Sequence, residues 1–234
     1  MKCLIIAAGQ GTRLRSRAPS KPLAPLGGVP LLEHVMRLAH EGGATAFVVV
    51  TGYRGAAVEK FLGNLSIEAP VETVRNPDWK RPNGLSVLAA AEALGDEFLL
   101  LMADHLFDPA IVRRLIAAPA PAGLTLAADY AIANPQLDID DATKLEVDGD
   151  GFIRRIGKTI AGYNAVDTGI FRTTSALLAS LRESVDAGGS GSLSEGVALL
   201  AARGEARAFD VQGGWWLDVD DEAAFLKAEA KLRP

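Results

Sequence analysis

The sequence predicts an α/β fold: a mostly parallel sheet with helices on both faces and a small β-hairpin inserted late in the chain. Three observations predict it. The runs Cys3-Leu4-Ile5-Ile6-Ala7-Ala8, Phe47-Val48-Val49-Val50 and Phe98-Leu99-Leu100-Leu101-Met102 are apolar without alternation, as expected of strands covered on both faces. The segments between them carry helical periodicity. Later, Asp148-Gly149-Asp150-Gly151 separates two short strand patterns and reads as a hairpin turn.

The opening strand breaks at Gly9. A helix from about Leu31 to Glu41 follows, its apolar stripe made by Leu31, Leu32, Val35, Met36, Leu38 and Ala39 and its end marked by Gly42-Gly43. The strand Ala46 to Val50, a short helix near Ala56 to Leu62 and a strand near Val71 to Val74 come next. The loop Arg75 to Pro82 leads to a helix from Gly84 to Leu94 and then to the strand Phe98 to Met102. After Pro109 the pattern changes, with strands near Leu124 to Tyr130, Thr143 to Val147 and Phe152 to Ile156. The Ala/Pro stretch Ala117 to Ala122 is too short to be a domain linker. A strand Ala165 to Phe171, a helix near Ser175 to Glu183, the loop Gly188-Gly189-Ser190-Gly191 and a helix from about Leu193 to Arg203 follow. A strand Ala206 to Val211 and a terminal helix from Glu222 complete the order, with no internal repeat.

At 234 residues the chain can bury a large core as one domain. Its net charge of -5 argues against a nucleic-acid surface, which needs a clustered basic excess. A single cysteine, Cys3, excludes an internal disulfide and a cysteine-built zinc site and suits a reducing cytoplasm. Only Lys2 precedes an apolar run too short for a signal peptide or membrane span, so a soluble protein is expected. The sequence leaves the oligomeric state open, a homodimer included.

The break after the first strand reads Gly9-Gln10-Gly11-Thr12-Arg13, followed by Lys21-Pro22. A Gly-x-Gly turn brings bare backbone amides to an anion, and Arg13 and Lys21 add fixed positive charge. A dinucleotide-binding turn is disfavoured: Leu14 holds the third glycine position, and the second strand runs into Thr51-Gly52-Tyr53 with no acid to hold a ribose. A Walker loop is excluded because no Gly-Lys-Ser/Thr closes a six-residue span from a first glycine. What remains is a triphosphate cradle, to which Arg15 or Arg17 could also contribute.

In an open α/β sheet ligands lie outside the carboxyl ends of the strands. Asp104 directly follows the strand Leu99 to Ala103, where a carboxylate suits Mg²⁺ beside substrate phosphates, while Asp108 before Pro109 suits a helix cap. Trp215-Trp216-Leu217-Asp218-Val219-Asp220 places two more carboxylates on one face of an extended segment. Asp218 is the expected second metal ligand; Asp220 reads equally as a ligand or as the cap of the last helix. His34 and His40 fall on different faces of their helix and His105 reads as structural or as support for the site.

The Gly-x-Gly-Thr-Arg and Lys-Pro signature resembles that of the sugar-phosphate nucleotidyltransferases, the MobA-like NTP transferases. Leu101-Met102-Ala103-Asp104-His105-Leu106-Phe107, Asp167-Thr168-Gly169-Ile170-Phe171, Ser192-Leu193-Ser194-Glu195-Gly196 and Trp216 to Asp220 look more narrowly like inositol-1-phosphate cytidylyltransferases. The resemblance implies the Rossmann-like nucleotide-diphospho-sugar transferase fold, with residues 1–110 as the nucleotide half and 111–234 as the acceptor half of one domain. It implies Mg²⁺, a nucleoside triphosphate (CTP) and a small phosphorylated acceptor, most closely inositol 1-phosphate. It sets Ala8, Gly9, Gly11, Thr12, Arg13 and Lys21 around the nucleotide, with Thr51-Gly52 and Asn83-Gly84 near base and ribose. It sets Asp104 and Asp218 on Mg²⁺, Lys158 on the acceptor phosphate, and Asp167 and Glu195 on acceptor hydroxyls. Plainer readings stand beside these: a solvated Lys158, a turn residue at Asp167, a first-turn carboxylate at Glu195 and a helix start at Asn83. A uridylyl- or guanylyltransferase, a phosphocholine cytidylyltransferase, a nucleotide-sensing module and a purely structural protein are the alternatives, and the choice of cytosine rests on the resemblance alone.

Overall fold

The computed structural model describes residues 1–14, 16–134 and 137–232. In chain order, β1 (Lys2–Ala7) leads through the glycine-rich loop to a small ribbon of β2 (Pro25–Leu26) and β3 (Val29–Pro30), then α1 (Leu31–Glu41), β4 (Ala46–Thr51), α2 (Gly55–Leu62), β5 (Val71–Arg75), α3 (Gly84–Ala89) and β6 (Glu97–Met102). The second half runs β7 (His105–Phe107), α4 (Pro109–Ala117), β8 (Leu124–Asp129), β9 (Lys144–Val147), β10 (Ile153–Gly157), β11 (Ala165–Thr174), α5 (Ala176–Asp186) and α6 (Leu193–Ala202). It ends with β12 (Ala206–Asp210), β13 (Trp216–Asp218) and α7 (Glu222–Leu232).

The strands β5, β4, β1 and β6 lie side by side and parallel, and β11 joins β6 antiparallel, carrying β8 and β9. The apolar runs alternate between two cores. Cys3, Ile5, Phe47, Val49, Leu99 and Leu101 face the layer containing α1, α4 and α7. Leu4, Val48, Val50, Phe98 and Leu100 face α3, α5 and α6. That two-sided burial is why the strands show no polar alternation.

The predicted helix Gly84 to Leu94 is shorter than expected: α3 stops at Ala89, and a 3₁₀ turn over Ala91–Ala93 follows, because Leu94 is extended (φ -95°, ψ 153°) to enter β6. β11 runs on to Thr174, beyond the expected Phe171. Its pairing with β8 shifts between Asp167 and Phe171, where Gly169 has φ +75°.

Two features escape the periodicity. The β2–β3 ribbon is too short to produce a pattern. The second is an antiparallel ribbon of β7 and β13, in which Trp216 pairs Phe107, Leu217 pairs Leu106 and Asp218 pairs His105. Three residues of strand are invisible to a period-2 count, yet this ribbon carries the chain's end back to the end of β6.

The chain passes from β1 outward through β4 to β5 and then returns to the other side of β1 at β6. The carboxyl ends of β1 and β6 therefore flank a topological switch point, the expected place for a ligand crevice.

Gly84 marks how closely α3 packs. A Cβ there would lie 2.4 Å from the Gly191 carbonyl oxygen and 2.6 Å from Leu181 Cδ2. Gly84→Ala should therefore lower unfolding stability by about 1–3 kcal/mol in urea denaturation. Gly63→Ala, at φ -65° with no atom nearer than 3.5 Å, should be neutral or slightly stabilising.

Candidate active site

The glycine-rich loop leaves β1 at Ala8 and is held open by backbone pairing. The Tyr53 N–H donates to the Ala8 carbonyl at 2.9 Å, and the Ala103 N–H donates to Ile6 at 3.2 Å. Leu14, fully buried, anchors the middle of the loop. Gly11 adopts φ +57°, and a Cβ there would stand 2.3 Å from Cβ of Lys21. The glycine thus lets the Lys21 side chain lie directly across the loop.

Lys21 is only 6% exposed, and its Nζ donates to Asp104 Oδ2 at 2.6 Å and to Asp220. Burial opposes its charge, but Asp104, Asp220 and Asp218 outweigh it and hold its pKa above the usual lysine value. The Arg13 Nη1 and Nη2 donate to Asp141 at 2.9 Å, and Nη2 also donates to Asp220. Asp141 in turn accepts from Lys158.

Asp104 also meets His105, whose Nδ1 lies 2.8 Å from Oδ1; its Nε2 is 3.8 Å from Asp218 Oδ2. Burial raises the Asp104 pKa, but Lys21 and His105 overcome this and hold it well below the carboxylate range. Burial would lower His105, yet Asp218 and Asp104 push it up to about 9. Burial, reinforced by Asp104 and Asp220, pushes Asp218 up to about 6 against the pull of His105. The result is one alternating series: Lys158, Asp141, Arg13, Asp220, Lys21, Asp104, His105, Asp218.

Ligand atoms of Asp104, His105 and Asp218 all lie within 4.8 Å of one another. Oδ1 of Asp218 is buried with no hydrogen-bond partner. An ionised Asp104 beside an orphaned carboxylate oxygen fits a hard divalent cation, so the expected pair of metal ligands stands together. The ring of His105 stacks on Trp216 with centroids 6.3 Å apart, and the Trp216 Nε1–H donates to Asp129 at 2.8 Å.

A cleft of about 870 Å³ opens beside this series, lined by residues that include Arg13, Asn83, His105, Lys158, Asp167 and Asp218. A second cavity of about 620 Å³ lies between the glycine-rich loop and the end of β4, lined by Gln10, Ser16, Arg17, Ala18, Pro19, Tyr53 and Arg54. Asp167 faces the larger cleft, and its Oδ1 accepts from Gly169 N–H at 2.7 Å. Burial, partly opposed by that N–H, pushes its carboxyl up to about 6.

Several expected residues take other duties. Thr51 is fully buried and its hydroxyl donates to Glu59 at 2.7 Å, so the Thr51-Gly52 pair presents backbone and not the threonine side chain. A Cβ at Gly52 would lie 2.4 Å from Trp79 Cβ, and one at Gly84 meets the 191–192 backbone, so both glycines serve packing. Asn83 lines the cleft, while its Oδ1 accepts from Leu193 N–H at 3.0 Å. Arg17 is drawn to Glu222 and over the ring of Phe225, and Arg15 lies outside the described residues.

Asp220 is not the helix cap. Asp221 takes that place, its side chain accepting from the Ala224 N–H at 2.8 Å, and Asp220 is left to Arg13 and Lys21. Asp108 does cap α4, accepting from Ala110 N–H at 2.8 Å. Asp141 was missed altogether, because its acidic turn Asp138-Ile139-Asp140-Asp141 looks like any solvated loop.

Residues 3–137, more than half of the 234-residue chain, match the MobA-like NTP transferase domain. The chain belongs to that family. Among curated relatives, a bifunctional IPC transferase and DIPP synthase of Rubrobacter xylanophilus is 37% identical over 221 residues, covering 92% of this chain and 48% of the relative. The protein of the same description from Thermococcus kodakarensis is 32% identical over 235 residues, 99% of this chain and 50% of the relative. The chain thus spans about half the length of these relatives. Among solved structures, the inositol-1-phosphate CTP transferase from T. maritima superposes with a TM-score of 0.85 at 26% identity, covering 98% of this chain and 95% of that one.

Within this nucleotidyltransferase domain, Glu195 is turned away from the cleft. Its carboxylate accepts from Ser184 Oγ and Ser190 Oγ at 2.7 Å each and from the N–H groups of Gly191 and Ser190, closing the loop before α6. That corrects the expectation that it holds acceptor hydroxyls. The serine hydroxyls and loop amides hold its pKa down at about 2. Because the folded value lies below the ordinary 4.5, its stabilisation is present above pH 4.5 and is lost as the pH falls toward 2. Glu195→Gln should lower thermal stability at pH 7, by about 1–2 kcal/mol for the unmatched donors, with the gap from the unsubstituted protein closing between pH 4.5 and 2.

Proposed function

We propose that the domain transfers CMP from CTP to a small phosphate monoester, inositol 1-phosphate by preference, and releases pyrophosphate. The observation that carries this reading is the alternating charge series at the switch point, which places cations from the glycine-rich loop and from beyond β10 on one cleft. The relatives described above as IPC transferases and as an inositol-1-phosphate CTP transferase support the substrate pair.

In this reading the first half, residues 1–110, receives the nucleotide, and the second half, 111–234, receives the acceptor. Backbone of Ala8, Gly9, Gly11 and Thr12 faces the triphosphate. Arg13 and Lys21 exchange their carboxylate partners for phosphate oxygens, which spreads the negative charge that develops as pyrophosphate leaves. A phosphate monoester, with its second pKa near 6, is already mostly dianionic at neutral pH, so its oxygen attacks the α-phosphorus without a general base. Asp104 and Asp218 would hold Mg²⁺. When bound, the ion screens the triphosphate and offsets charge on the bridging oxygens. Lys158 takes the acceptor phosphate, and Asp167, with Asp129 behind Trp216, presents carboxylates suited to a polyol's hydroxyls. The lone thiol, Cys3, is buried in β1, and among the described residues no helix is long and apolar enough to cross a membrane. A reducing cytoplasm fits this reading.

The test is Mg²⁺-dependent pyrophosphate release from CTP, UTP, GTP and ATP, each with inositol 1-phosphate, phosphocholine and glucose 1-phosphate. Release confined to CTP with inositol 1-phosphate is expected; release with another pair would move the substrate and keep the chemistry. Lys21→Ala and Asp104→Asn should each cut turnover by about 10² or more, the scale for losing a preorganised charge partner. Near-normal turnover in either purified variant would refute its assigned role.

A further inference from the structure

Arg13 and Lys158 belong to distant parts of the chain, the loop after β1 and the segment after β10, yet they grip the same carboxylate. Both guanidinium nitrogens of Arg13 donate to Oδ2 of Asp141 at 2.9 Å, and Lys158 donates to Oδ1. Asp141 is partly exposed on the wall of the larger cleft, so its two oxygens are engaged by cations and not by packing. Its turn is kept by Asp138, whose side chain accepts from the Asp141 N–H at 3.3 Å and whose carbonyl accepts from Ala142 at 2.9 Å.

Two cations converging on one anion define an anion position. We propose that Asp141 is an internal anion standing in the acceptor-phosphate position between Arg13 and Lys158, a positioning residue that the incoming phosphate must displace. The proposal rests on the reading above that Lys158 receives the acceptor phosphate, and it divides Arg13 between the two substrates: the contact now made to Asp220 passes to the triphosphate, and the contact now made to Asp141 passes to the acceptor phosphate.

The device selects by charge. A carboxylate offers one negative charge and two oxygens, whereas a phosphate monoester carries about -1.5 to -2 and three acceptor oxygens at pH 7. The dianion can satisfy both cations and leave Asp141 to solvent. A carboxylate or singly charged ester gains little over the resident group and is turned away. The form admitted is the one whose oxygen is nucleophilic. Exposed ion pairs of this kind are weak, so the filter is small enough for a substrate to open.

The experiment compares the unsubstituted chain with Asp141→Asn, which keeps the shape and removes the charge, and Asp141→Glu, which keeps the charge. Inorganic phosphate is titrated calorimetrically with acetate as control, and kcat and KM for the acceptor phosphate are measured separately. The expected result is phosphate binding about tenfold tighter in Asp141→Asn than in the unsubstituted chain or in Asp141→Glu. The acceptor KM should fall by a similar factor and by more than kcat changes, and acetate should bind detectably only to Asp141→Asn. Unchanged or weaker phosphate binding in Asp141→Asn would overturn the proposal. Tighter phosphate binding in a protein that turns over no acceptor would uphold the anion position while overturning the transferase reading. Full turnover with unaltered phosphate affinity would do the reverse.

Discussion

The site is organised around one buried ammonium group. Lys21 lies across Gly11 and ends between Asp104 and Asp220, joining the glycine-rich loop, the end of β6 and the segment after β13 in a single contact set. An isolated buried cation costs several kcal/mol, so this arrangement persists only because its partners are themselves poorly solvated carboxylates that gain from the charge. Remove Lys21 and the carboxylates of Asp104 and Asp220 lose the cation that joins them, leaving His105 to Asp104 and Asp218 and Arg13 to Asp220. The glycine follows from the same requirement, since at φ +57° and 2.3 Å from the lysine Cβ no larger residue would let the side chain pass.

The second constraint is the short β7–β13 ribbon. The sheet alone would bring only the ends of β1 and β6 together. Pairing of Asp218 with His105, with the Val219 N–H donating to the Asp104 carbonyl at 2.9 Å, carries carboxylates from far along the chain to that junction. The two halves are therefore coupled by charges and backbone at the cleft as well as by the continuous sheet through β11. Carboxylates from both halves, Asp104 from the first and Asp141 and Asp220 from the second, thus fix the positions of Arg13 and Lys21.

How far the sequence foretells this depends on the range of the interaction. The opening loop was readable because its chemistry is local: Gly9, Gly11, Arg13 and Lys21 sit within one loop following one strand. The place of Asp104 at the site was readable because it directly follows an apolar strand whose carboxyl end faces the crevice. Asp141 was not, because its meaning comes from Arg13 and Lys158, far away in sequence, and its own neighbours are ordinary loop residues. Glu195 misled in the opposite direction. A carboxylate at the start of a helix in a familiar motif looked like a substrate ligand, whereas Ser184 and the 190–191 amides consume it locally. Asp220 and Asp221 differ only in which of them meets the Ala224 amide, a distinction of one residue that periodicity does not resolve.

The charge series also explains how a chain of net charge -5 can serve anionic substrates. A cleft of uncompensated lysines and arginines would attract any anion and would repel itself when empty. Here Arg13, Lys21 and Lys158 each already have a carboxylate, so in the function proposed above phosphates would substitute for carboxylates and not add to a bare positive field. Binding becomes an exchange of partners, and its free energy is a difference between two well-paired states. Such a site gives up raw affinity for discrimination among anions by charge and geometry. For the transfer proposed above, in which two phosphate-bearing substrates would enter and a third anion would leave, shallow exchange of this kind would favour turnover over tight retention.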